Sequence, residues 1–316
     1  MIPVQITQLS TNKNPIHLTL DVGWVEKYKT VTGNPIVISD GVKDTLLKKL
    51  QMTLAPKQFG SGTPSPSNVR PISGWDEVET HKAGKNLLPY PYALTSGTVS
   101  GITYTVLEDG SVSISGTATA TAYINLHPRT NMFVLKAGTY TVSGASGSSI
   151  VIVIGDSDNV AVGATSYQPT FTLTKDTNVF AFIQIASGTV VDITLHPQIE
   201  IGSTATSYEP YDGQTITTPL PTTVYGGTVD VVSGVLTVTH GYISSYNGET
   251  INEPWISDRD EYVAGTTPTT GAQVVYELVT PTTIQCDQQT VSLLAGENVI
   301  MGDGDMEITY RVKASA

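Results

Sequence analysis

Between Ile102 and Leu195, apolar side chains recur at every second residue in short runs, and each run stops at a turn rich in Gly, Asp, Asn or Pro. Ile102, Tyr104 and Val106 alternate into Asp109-Gly110, and Val112 and Ile114 alternate out of it, which is the pattern of a hairpin. Ala118, Ala120, Ala122, Ile124 and Leu126 keep the same spacing. Tyr140 with Val142, residues 150 to 154, Phe171 with Leu173, residues 179 to 185 and residues 190 to 195 supply further segments. A period of two lines one face of a strand with apolar side chains, and that face must be covered by another layer. The pattern therefore predicts about eight strands in two facing sheets. A jelly roll over residues 84 to 212 fits, because roughly 130 residues make one sandwich domain.

The flanks carry weaker forms of the same signal. Charged residues are only 14% of the chain, and 29 Gly and 18 Pro favour strands and turns over helices, so the expected class is all-β. Residues 1 to 55 alternate weakly and are expected to form a β-rich attachment region. Leu46, Leu47 and Leu50 suit a helical turn while Leu50, Met52 and Leu54 have strand spacing; strands flanking a short turn are the favoured reading. Residues 56 to 83 begin with Gly60, Gly62, Pro64, Pro66, Pro71 and Gly74 and are expected to be a linker. The Asn68-Val69-Arg70-Pro71-Ile72 stretch and Trp75 argue that it is ordered. Residues 213 to 316 are expected to be a small, mainly-β domain with a hairpin at Ser233-Gly234. One short helix there would be capped by Asp287, run to Leu294 and end at Gly296, and a final strand would carry Met306, Ile308, Tyr310 and Val312. Trp24 and Trp75 are read as packing anchors of the front part.

Several classes of chemistry are disfavoured. Cys286 is the only cysteine, which excludes an intrachain disulfide and a closed cysteine metal site. The five histidines are scattered, no Gly-x-Ser-x-Gly elbow or phosphate-binding loop occurs, and no cofactor or metal is expected. Asp156-Ser157-Asp158 and Asp303-Gly304-Asp305 begin like calcium loops, but their twelfth positions are Tyr167 and Ala314 in place of Glu. Net charge is −12 and unevenly spread: residues 1 to 85 hold 10 Lys/Arg and 7 Asp/Glu, and the remainder holds 6 and 21. The acidic remainder argues against nucleic acid as a ligand. The first residues lack the basic start and apolar core of a secretion signal, and apolar runs fall far short of the ~18 residues that cross a bilayer, so a soluble protein made in the cytoplasm is expected.

Two candidate ligand sites remain. A sugar is gripped by a flat aromatic ring against its apolar face and by amide, carboxylate or guanidinium groups at its hydroxyls. Tyr123, Asn125, His127 and Arg129 alternate, which predicts one shared face of a strand, with Ile124 and Leu126 opposite. The plainer reading of that row is a solvent-facing or subunit-facing edge, with Tyr123 packing on a neighbour. Trp255 and Tyr262 form a second candidate. Asp258, Asp260 and Glu261 near Trp255 have the residue types of a glycosidase, although residues so close along a chain rarely face each other across a cleft, and a solvated loop explains them better.

Three stretches carry a resemblance: residues 61 to 72, from Ser61-Gly62-Thr63-Pro64 to Arg70-Pro71-Ile72; Gly84-Lys85-Asn86-Leu87-Leu88; and Pro197-Gln198-Ile199-Glu200-Ile201-Gly202 with Tyr208-Glu209-Pro210-Tyr211. Together they resemble tail, baseplate and fibre proteins of phages and prophages of Gram-positive bacteria, which carry a jelly-roll module similar to carbohydrate-binding modules. Tyr276-Glu277-Leu278, Pro281, Gly296-Glu297-Asn298 and Glu307-Ile308-Thr309-Tyr310 look like the carboxy-terminal part of such proteins. The resemblance implies a virion component that assembles with other virion proteins as a homotrimer and adheres to host cell-surface polysaccharide, with no membrane insertion. It also leaves room for a capsid decoration or head-fibre protein that binds no glycan, and for a polysaccharide depolymerase.

Overall fold

A computed structural model describes residues 26–39, 46–145, 147–158, 161–293 and 296–313. Trp24 and most of the expected attachment region, residues 1 to 55, lie outside them. Among the described residues every named element is a strand and every pairing is antiparallel, so the all-β class holds. The expected helix after Asp287 does not form. Residues 287–293 have no regular structure there, and Leu294 lies outside the described residues. A side chain able to cap is not enough where no apolar stripe of helical period follows it.

The strands divide into two bodies, and the division does not follow the chain. One body is contiguous, residues 84 to 212. Its strand Ala122–His127 lies beside Thr177–Ile185, which pairs in turn with Ile150–Asp156, while Phe133–Leu135 also pairs with Thr177–Ile185. A second sheet runs in the order Val190–Leu195, Val112–Thr117, Ile102–Val106, Ser96–Val99, and a third joins Thr170–Leu173, Gly138–Ser143 and Gln198–Ile201. The apolar faces of all three close on one core that includes Ile102, Val112, Ile114, Ile124, Tyr140, Ile152, Val179, Ile183 and Ile199. Each fully buried aliphatic side chain in such a core is worth about 1.5–3 kcal/mol in transfer from water. The Asp109-Gly110 turn forms as read, with Val106 opposite Val112 and Gly110 at φ +84°, a backbone region that favours glycine. Ile193 departs from the expectation. It sits opposite Ile114 on the inner side but belongs to the edge strand of its sheet, and it stands 44% exposed.

The second body is built from both flanks. Its larger sheet runs in the order Glu26–Gly33, Met306–Lys313, Leu46–Leu54, Gly227–Asp230, Val235–Ile243, Val274–Gln285, Trp255–Ser257; its smaller one runs Gln214–Val224, Trp75–Ala83, Asn298–Gly302, Ile36–Ile38. Ile36, Leu50, Met52, Trp75 and Val78 from the front share a core with Val229, Leu236, Ile300, Met306 and Ile308 from the rear. Front region and rear region are therefore one folding unit. The stretch expected as a linker, 56 to 83, ends in the nine-residue strand Trp75–Ala83 of that unit. Residues 84 to 212 are inserted between two adjacent strands of one sheet: Lys82 lies opposite Gln214, and Gly84 N–H donates to the Asp212 carbonyl (3.1 Å).

The helix-like spacing of Leu46, Leu47 and Leu50 has a local cause. Thr309 pairs with Lys49 and Tyr310 with Leu47, which leaves Lys48 as the extra residue of a bulge. The bulge shifts the alternation by one, so Leu47 and Leu50 both face the core within a single strand, Leu46–Leu54. The loop ahead of Trp75 is ordered, as its composition suggested. Arg70 Nη1 and Nη2 donate to the Gly62 and Gly60 carbonyls (2.7 and 3.1 Å), and Asn68 Nδ2 donates to those of Thr63 and Ser61 (2.8 and 3.1 Å). Arg70 N–H donates to the Asp258 carbonyl (2.6 Å), which fastens the loop to the rear of the chain.

Candidate functional site

Opposed residues in a sheet share a face, so register decides which side chains meet. Tyr123 lies opposite Gln184, which lies opposite Val151; Asn125 lies opposite Phe182, which lies opposite Val153. All six point away from the main core, and Phe180, Phe182, Val151, Val153 and Ala164 make a small apolar cluster of their own on that outer side, packed by Met132 and Ala161. The Tyr123 ring, 50% exposed, meets Phe182 edge-on at 5.7 Å between centroids. Its position is thus fixed from below while one side stays open to solvent. Arg129 lies over Phe180, with its guanidinium carbon 4.3 Å from the ring centroid, and donates from Nη1 to the Ser157 and Asp156 carbonyls (3.2 and 3.3 Å).

His127 does not join them. A bulge between Asn125 and His127 brings His127 opposite Ala181, a core residue, so the expected alternation turns over and the imidazole enters the protein. It is buried, its Nε2 donates to the Pro89 carbonyl (2.8 Å), and its ring packs edge-on against Tyr92 and Phe133. Burial holds its pKa below the ordinary value, partly offset by backbone contacts with Pro89 and Asn131. Of the four residues read as one row, three reach the outer side and one is structural. Phe180, Phe182 and Gln184 were missed. Their signal was present as a second alternating row within 179 to 185, hidden because the strand is apolar on both faces.

The second candidate pair does meet. The Trp255 and Tyr262 rings stand at 90° with centroids 5.5 Å apart, at a cavity of about 250 Å³ also lined by Pro56, His240, Ile256 and Glu277. The neighbouring carboxylates are committed elsewhere. Asp258 accepts from Gln273 N–H (2.9 Å), and Asp260 accepts from Thr269 N–H (2.8 Å), Thr269 Oγ1 (2.5 Å) and Ser257 Oγ (3.0 Å). Burial works against the Asp260 carboxylate, but those hydrogen bonds and Arg259 outweigh it and leave its pKa below the usual range. Both side chains hold loops together, and Asp258 is buried, which departs from the solvated loop expected from the sequence. Among the described residues no group of three or more His, Cys, Asp or Glu has the arrangement of a metal site, and Asp158 N–H donates to Asp156 Oδ1 as in an ordinary acidic turn.

Two of the three stretches on which the phage resemblance rests, residues 84 to 88 and 197 to 211, converge at the neck of the inserted body, whereas residues 61 to 72 form the loop fastened to Asp258. Asn86 Oδ1 accepts from Leu88 and Ile199 N–H (3.0 and 3.3 Å) and its Nδ2 donates to the Pro197 carbonyl (3.2 Å). Lys85 pairs with Glu209 (2.8 Å), and Glu200 accepts from Gln198 Nε2 and from the Thr206 N–H and hydroxyl. Their position makes them a clasp that ties the two ends of the body together. Compared with protein-family models, curated proteins and solved structures, the chain matches none.

Proposed function

We propose that this protein is a component of a phage virion, at the tail tip, baseplate or fibre, and that its inserted body is a jelly-roll module adhering to host cell-surface glycan. The reading is carried by the outer side of the Ala122–His127 sheet, where a half-exposed Tyr123 ring is seated on Phe182 beside Asn125 and Gln184. A propped aromatic surface with amides at its rim suits the apolar face and hydroxyls of a pyranose. One such site is weak, and a homotrimer on a particle with many copies would gain avidity from repetition. The test is retention of the oligomerised protein on host cell walls and on a glycan array. Binding is expected, and Tyr123→Ala should abolish it without loss of fold; absence of binding at high valency overturns the proposal.

A purely structural role in the virion has its own support. Val190 and Ile193 are exposed on an edge strand whose outer hydrogen-bonding groups have no partner strand among the described residues, a surface suited to subunit contact. Imaging an intact particle at side-chain resolution separates the two: a scaffold buries Tyr123 against a neighbouring chain, an adhesin leaves it facing outward.

A further inference from the structure

The cavity at Trp255 has a chemistry of its own, on the body built from the flanks and away from Tyr123. The Tyr262 ring, 43% exposed, stands at right angles to Trp255, which is buried in a small core with Tyr246, Ala272 and Val274, and Pro56, Pro254, Ile256 and Val275 close the cavity with apolar surface. Glu277 stands at this cavity, held by the pairing of its strand with His240 and by its N–H donating to the Pro254 carbonyl (2.9 Å). Among the described residues the Glu277 carboxylate has neither a hydrogen bond nor an ion pair, and no Lys or Arg lines the cavity. His240 turns its Nδ1 to the Thr239 hydroxyl (2.8 Å).

Aromatic faces attract a cation through the ring quadrupole, most strongly when the cation carries little hydration, and a carboxylate at the rim adds the countercharge. A neutral sugar would leave that carboxylate without a charged partner, and an anion would be repelled by it. At about 250 Å³ the space is below the range of drug-sized pockets and suits one compact head group. We infer that this cavity binds a small organic ammonium ion, such as a trimethylammonium head group. The exposed Tyr262 ring, backed by the buried Trp255, offers the aromatic face, and Glu277 supplies the negative charge.

The probe is tetramethylammonium or choline chloride, titrated into the full-length protein while the indole N–H signals of the three tryptophans are followed by NMR, with sodium chloride and glucose as controls. The Trp255 signal is expected to shift saturably with the ammonium salts and to ignore both controls. Glu277→Gln should weaken binding by about tenfold or more and Tyr262→Ala should remove it, each with the remaining amide spectrum intact, while Tyr123→Ala should have no effect. A Trp255 signal that does not move with ammonium overturns the inference. So does an equal response to glucose that survives Glu277→Gln, which would make the cavity a sugar site. Because the glycan proposal is read at Tyr123 on the other body, either can fail while the other stands.

Discussion

The inserted body and the body that carries it use the same material, antiparallel strands with period-two burial, but they close their cores over different distances along the chain. In the inserted body every sheet is made within residues 84 to 212. In the other, Leu46–Leu54 pairs with Met306–Lys313 on one side and Gly227–Asp230 on the other, across most of the sequence. The whole insert should therefore hold a fold on its own, and a piece of the carrier should not. Removing the insert and joining Ala83 to Gly213 through an Asn-Gly turn should leave a folded carrier, because Lys82 and Gln214 are already hairpin partners. Residues 84–212 alone should also fold, with reduced stability, since Val299 of the carrier packs into their core. Residues 213–316 alone should remain unfolded, lacking the front strands that fill their sheets. Circular dichroism and thermal melts of the three fragments check this, and a cooperative melt from 213–316 would break the comparison.

A smaller effect should separate the bodies within the intact chain. In each, a polar side chain satisfies several backbone groups: the buried Asn86 in the insert, and in the carrier the half-buried Asp230, which accepts from Leu50 and Val232 N–H (3.0 and 3.2 Å) and from Ser233 Oγ. Asn86→Ala and Asp230→Ala each strand buried backbone donors, and each should cost about 2–4 kcal/mol. Calorimetry should show two transitions, each variant lowering only its own. If both transitions move together under either substitution, the bodies form a single cooperative unit.

What could be read in the sequence follows the same division. The hairpins at Asp109-Gly110 and Ser233-Gly234 were legible because a turn and two alternating runs lie side by side. The joining of Ile36 and Val78 to Ile300 and Ile308 was not, because period-two patterning says that a face is buried and never against what. Bulges account for one ambiguous spacing and one misreading. One extra residue at Lys48 imitated a helical spacing, and the shift before His127 removed that residue from the candidate face. The clasp motifs show a different limit. Lys85, Asn86, Glu200 and Glu209 stood out as sequence features, yet their geometry serves closure of the insert, while Phe182 and Gln184, which shape the outer face, lay unnoticed in an apolar run.

The smallest expected effect is a difference in the sign of pH dependence. His127, in the insert, has its pKa lowered by burial, so the unfolded chain binds its proton more readily than the native one. Its contribution is intact above the unfolded value near 6.5 and is lost as pH falls below it. Glu297, in the carrier, has its pKa raised by burial and by the nearby Glu200 and Glu209, with Lys85 opposing. There the native state holds the proton longer, so stability grows as pH falls toward the raised value and is lost again on going back up. Between pH 7 and 5 the insert transition should fall and the carrier transition should rise or hold, each by no more than the one-proton limit of about 1.4 kcal/mol per pH unit. His127→Gln keeps a donor for the Pro89 carbonyl without titrating and should flatten the first slope alone; Glu297→Gln should flatten the second. Melts at several pH values decide it, and slopes of the same sign in both transitions, unchanged by either substitution, would mean that other groups govern the acid response.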